Sequence, residues 1–96
     1  MFEIRSTAEF DKWIDGLADL TGRAKIYTRI QRLAEGNPGD VRPVGEGVSE
    51  LRINFGPGYR AYYKQIGKVV IFLLCGGDKS TQDADIKRAK KLAAKL

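Results

Sequence analysis

The apolar positions of this 96-residue chain change their period partway along it. Phe2-Glu3-Ile4 alternates apolar with polar, as a short opening strand does. Ser6 and Glu9 stand at capping-box spacing, with the Ser hydroxyl capping a first helical turn and the Glu reaching back to the Ser6 amide. Phe10, Trp13, Ile14 and Leu17 follow at helical intervals and predict one apolar face, ending between Asp19 and Gly22. A second helix is expected over 23–35, with Tyr27, Ile30, Leu33 and Ala34 on its buried stripe and Gly36-Asn37-Pro38-Gly39 as its stop. The short link between the two stripes predicts an antiparallel helical hairpin.

The period then becomes two. Leu51, Ile53 and Phe55 alternate with Glu50, Arg52 and Asn54. Gly56-Pro57-Gly58 interrupts the run and Tyr59 to Gln65 resumes it, which predicts a β-hairpin with a three-residue loop. In that register Asn54 faces Arg60 and Arg52 faces Tyr62, so the four share one face, while Leu51, Ile53, Phe55, Tyr59, Ala61 and Tyr63 share the other. Lys68 to Cys75 is almost wholly apolar and predicts a central strand covered on both faces. It would bring Leu73 or Leu74 near Arg60 and deliver Lys79 close by. Asp83 and Asp85 open a closing helix, where negative charge suits the dipole, and lysines fill its later turns. The whole predicts a single α+β domain over residues 1–96, with an N-terminal helical hairpin and a C-terminal helix packed on a small antiparallel sheet.

Charge sharpens this picture. Residues 1–48 hold seven basic and eight acidic side chains, whereas residues 49–96 hold ten basic and four acidic. A basic half of this kind predicts a polyanion or an acidic protein as partner, and a solvated face is the plain alternative for its lysines. Lys64 and the row Lys87, Lys91 and Lys95 are candidates for contact with an RNA backbone.

Several chemistries are excluded. The chain has no histidine and one cysteine, which removes Ser-His-Asp and Cys-His nucleophile systems, histidine metal sites and iron–sulfur ligation. Gly45-Glu46-Gly47 and Gly56-Pro57-Gly58 open no helix after a strand and are read as turns rather than phosphate loops. No metal or cofactor is expected. Cys75 reads as a small buried apolar residue. The longest apolar run, Val69 to Cys75, is too short to cross a bilayer, and with no leader-like start the expected location is the cytoplasm. Arg52, Arg60 and Lys79, with Tyr62 beside them, suit a phosphodiester and its charged transition state. The competing reading pairs both arginines with carboxylates such as Glu50 and leaves Tyr62 as sheet surface.

The stretches Val48 to Ile53, Gly56 to Tyr63 and Leu73 to Gln82 resemble the RelE/ParE superfamily, and more narrowly its addiction-module killer proteins, which are similar to HigB toxins. The resemblance implies a compact antiparallel sheet flanked by helices and the toxin half of a bacterial toxin–antitoxin pair, neutralised by a cognate antitoxin, with DNA contact confined to the toxin–antitoxin complex. It also implies cleavage of mRNA on the ribosome by attack of a 2′-hydroxyl on the adjacent phosphate. Arg52 and Arg60 would hold the phosphate, and Lys79 would neutralise charge on the transition state or leaving group. Nothing after Lys79 is aromatic, and the general base stays open between Tyr62, Asp78 and a group on the ribosome. ParE-type members poison DNA gyrase by binding, so superfamily likeness alone leaves endoribonuclease, gyrase inhibitor and simple nucleic-acid-binding module as alternatives.

Overall fold

The computed structural model describes residues 1–96. Its elements run β1 (Glu3–Ser6), α1 (Ala8–Asp15), α2 (Leu20–Ala34), β2 (Val41–Gly45), β3 (Val48–Ile53), β4 (Tyr59–Ile66), β5 (Val70–Gly77), a 3₁₀ turn (Lys79–Thr81) and α3 (Gln82–Ala93). The five strands form one sheet in the order β1-β5-β4-β3-β2. Strands β2 to β5 pair antiparallel, but β1 joins the edge parallel to β5, pairing Glu3 with Val70 and Ser6 with Leu73. The sheet is therefore mixed rather than purely antiparallel.

Period-two side chains divide the sheet's two faces. Leu51, Ile53, Tyr59, Ala61, Tyr63, Ile71 and Leu73 point to the face covered by α1 and α2, where Phe10, Ile14, Ile26, Ile30 and Leu33 complete the larger core. Val48, Tyr62, Leu74 and Cys75 point the other way, beneath Ala89 and Ala93 of α3. A bulge between Tyr62 and Tyr63 shifts the ladder from Cys75 to Leu73, so Leu74 has no partner in the ladder. That extra residue is why Leu74 and Cys75, consecutive in sequence, both belong to the α3 side. Cys75 is buried, and its burial pushes the thiol up to about 12, so it stays a protonated apolar group.

The cap of α1 is Thr7, not Ser6. Ser6 belongs to β1 and donates to Asp11, whereas the Thr7 hydroxyl accepts from the Phe10 amide and donates to the Leu74 carbonyl. One side chain thus starts the helix and satisfies the bulge. Thr7→Ala is expected to cost about 1–2 kcal/mol, measured by urea unfolding, because the cap and the donor to a half-buried carbonyl disappear together.

The link between the helices is short, as expected, but falls earlier in the chain, at residues 16–19. Gly16 closes α1, and Asp19 caps α2 by accepting from the Gly22 amide. Starting the helix at Leu20 puts Ile26 fully inside and leaves Tyr27 47% exposed, reversing the expected assignment of Tyr27 to the buried stripe. Tyr59 ties this helix start to the sheet by donating its hydroxyl to Asp19 at 2.8 Å. Close by, at the C-terminal end of β5, Gly76 lies directly beneath the Trp13 ring, where an added Cβ would come within 2.3 Å of ring carbons. No larger residue fits there without moving α1.

Candidate functional site

The β3–β4 loop spans residues 54–58, five residues rather than three, and the ladder pairs Arg52 with Arg60, Leu51 with Ala61 and Glu50 with Tyr62. The expected pairings of Arg52 with Tyr62 and Asn54 with Arg60 are each displaced by two positions. Because side chains alternate, a two-residue displacement leaves every residue on its expected face. Arg60 lies opposite Gly77, not Leu73 or Leu74. The shift shortens the path to Lys79, whose amide reaches back to the Pro57 carbonyl at 3.4 Å.

Arg60 and Lys79 therefore do converge. They line an open depression of about 370 Å³ with Asn54, Phe55, Gly56, Pro57 and Gly58. None of these residues is acidic. Arg60 is only 9% exposed. Its Nη1 donates to the Gly58 carbonyl at 2.8 Å, and its Nε lies 3.5 Å from Glu50 in an ion pair not aligned as a hydrogen bond. Charge and one carbonyl hold the guanidinium in place, with one edge left to the depression. Lys79 is exposed and makes no ion pair.

Glu50 organises the ground beneath. It is completely buried, and its Oε2 accepts from Tyr62 at 3.0 Å and from Gln82 of α3 at 2.9 Å. Arg42 of β2 approaches Oε1 at 3.4 Å. A carboxylate in an apolar layer is tolerated only with such partners. Tyr62 is likewise fully buried, so it is not the sheet-surface phenol the alternation suggested, and it presents no face to a base. Burial, then the charge of Glu50 and the hydrogen bond to it, push its phenol far above the ordinary value. It stays protonated and positions Glu50. Asp78, the other protein candidate for a base, accepts from the Ser80 hydroxyl and amide, and these bonds hold its carboxyl below the usual range.

The remaining candidates lie elsewhere. Arg52 faces Asp40, donating through Nε at 3.2 Å and Nη2 at 2.9 Å, and does not line the depression. The carboxylate pairing considered for both arginines is realised fully in Arg52 and partly in Arg60. Lys64 sits toward the far end of β4, about 13 Å from Arg60 at ~3.3 Å per residue, beside the β2–β3 turn at Gly47. Lys87 and Lys91 are exposed on α3 around a separate shallow hollow with Lys90 and Glu46, and Lys95 is exposed one turn beyond. The sequence signal that could have revealed Glu50 is its place in the alternation, an acidic residue on the same face as Val48 and Tyr62. No cluster of acidic, histidine or cysteine side chains able to hold a metal ion is present.

Three helices on a five-stranded mixed sheet, with this depression where β3, β4 and β5 turn outward, define a RelE-type fold. The structure superposes on a double-mutant Escherichia coli toxin RelE in the free state with a TM-score of 0.73, covering 93% of each chain at 16% identity. The conserved hypothetical protein HP0894 from Helicobacter pylori matches with a TM-score of 0.53 over 83% of this chain and 97% of its own, at 20% identity. The chain belongs to the phage-derived Gp49-like family (DUF891), whose pattern covers residues 12–96. It is also 53% identical over 94 residues to an uncharacterised protein of Haemophilus influenzae, a match spanning 98% of this chain and 95% of that one.

Proposed function

We infer that this protein is the toxin of a toxin–antitoxin pair and that it acts as a metal-independent endoribonuclease on ribosome-bound mRNA. The observation that carries the reading is the acid-free depression in which a pre-positioned guanidinium meets an exposed lysine. A fixed guanidinium suits a phosphate whose charge grows as a 2′-oxygen attacks it and needs no reorganisation at that moment, and the exposed lysine adds a second, mobile positive charge. Arg60 binds the phosphate, and Lys79 neutralises charge on the transition state or the leaving oxygen. Arg52 joins them only by leaving Asp40. With Tyr62 held protonated and Asp78 a weakened base, the reading assigns removal of the 2′-proton to a group of the ribosomal complex.

The cognate antitoxin covers the same depression, and contact with DNA arises only in the toxin–antitoxin complex. The lysines at 64, 87, 91 and 95 form a separate, salt-sensitive contact to RNA backbone. No helix is long and apolar enough to cross a membrane, which accords with action in the cytoplasm. Inducing the protein without its partner and mapping mRNA 5′ ends tests the reading, with new ends expected inside translated codons. Intact transcripts accompanied by double-strand DNA breaks would instead support a gyrase inhibitor that acts by binding. Unimpaired growth would remove the toxin reading altogether.

A further inference from the structure

A second depression, of about 390 Å³, lies against the first and shares Asn54 and Phe55 with it. Its far wall is α2, which contributes Lys25, Arg29 and Arg32 and no carboxylate. Arg29 is committed to the fold, donating to the carbonyls of Arg52, Pro38 and Asp40. Lys25 and Arg32 make no ion pair. The half-exposed ring of Phe55 stands between the two hollows, with the Lys25 ammonium 5.0 Å from its centroid. Like charges spaced along one helix face each cost a few tenths of a kcal/mol. Asp40 lies near Arg29 and Asn54 but is already paired with Arg52, and no carboxylate pairs with Lys25 or Arg32.

An aromatic face flanked by unpaired cations suits a nucleotide of single-stranded RNA, since stacking accepts any base and the cations meet its phosphate. We propose that this second depression binds the nucleotide next to the cleaved bond, stacking its base on Phe55 and holding its phosphate with Lys25 and Arg32. The exposed Lys25 swings from the ring to the phosphate at small cost, because an exposed cation–π contact is weak. That the neighbouring bond is the one cut rests on the cleavage reading, whereas binding of single-stranded RNA in the hollow stands apart from it.

The test is fluorescence anisotropy of a labelled single-stranded RNA hexamer at low salt, with a duplex of the same length as control. Phe55→Leu, which keeps the apolar packing but removes the ring, is expected to weaken binding of the single strand about ten-fold. Phe55→Trp is expected to retain it. Alanine at Lys25 and Arg32 together should lower the dependence of log affinity on log salt by about 0.7 for each phosphate the protein no longer neutralises. Parent-like affinity and salt slope in all of these variants would overturn the proposal, as would unchanged RNA binding combined with loss of a co-expressed protein partner, which gives the hollow to that partner. If Arg60→Ala abolishes new mRNA ends while the Phe55 and Lys25/Arg32 variants cut and bind as the parent does, only this proposal fails. If the parent makes no new ends, the cleavage reading fails and the hexamer affinities still decide the site.

Discussion

Alanine at Arg60 is expected to reduce mRNA cleavage by about 10²–10³-fold, the loss typical of deleting one fixed donor aimed at developing charge. Arg60 qualifies because it does not have to be gathered from solvent: the Gly58 carbonyl and Glu50 already set its orientation, and only one edge meets the depression. The same burial means that Arg60→Ala also weakens the fold, so its activity must be expressed per folded molecule, read from urea unfolding. Lys79→Ala supplies the separation. Lys79 is exposed and unpaired, so its removal should leave stability within about 0.5 kcal/mol of the parent while cleavage still falls sharply. Equal cleavage by the folded parent and both variants, scored as 5′ ends per transcript, would remove the depression from the chemistry.

Glu50→Ala is expected to destabilise the protein by about 3–5 kcal/mol, the range for deleting one partner of a buried pair. The reason lies in what it leaves behind. Tyr62 and Gln82 lose their acceptor, and the buried guanidinium of Arg60 loses its counter-charge. Against a total of roughly 5–15 kcal/mol for a domain, such a loss leaves the sheet and α3 poorly joined. Glu50→Gln keeps the volume and one acceptor, so it should cost less, about 1–3 kcal/mol. Urea midpoints with unchanged slope would measure both. A parent-like midpoint for Glu50→Ala would show that the α3 layer does not depend on this carboxylate.

The strands with a covered face were legible in the sequence. β3 and β4 send alternate side chains to opposite faces of the sheet, and alternation survives an error in pairing, which is why the faces of Arg60, Ala61 and Tyr63 were right although their partners were not. The register itself was hidden, because residues 54–58 contain several turn-forming positions and nothing local chooses among them. β2 gave no signal. It is an edge strand with Pro43 in it and little burial, so neither period nor propensity marks it. The parallel docking of β1 depends on residues nearly seventy positions away, beyond any local pattern. At the site, the meeting of Arg60 with Lys79 followed from the hairpin and the strand exit. The burial of Tyr62 did not, because it depends on α3 covering that face, and the sequence shows no more than that α3 has an apolar stripe. Phe55 was read only as part of the apolar face, and Lys25 and Arg32 were not singled out, since their nearness is a product of where α2 crosses β3.

The parallel edge also sets an order of assembly. Residue 3 pairs with residue 70, and Thr7 fastens to the Leu74 carbonyl, so the first strand has nothing to dock against until residues 70–74 have been made. Long-range closure of this kind is slow relative to helix formation. During synthesis α1 and α2 wait on a sheet that does not yet exist. Lys79 emerges later still. The depression that Lys79 completes with Arg60 therefore forms only after the partner of the first strand has been made.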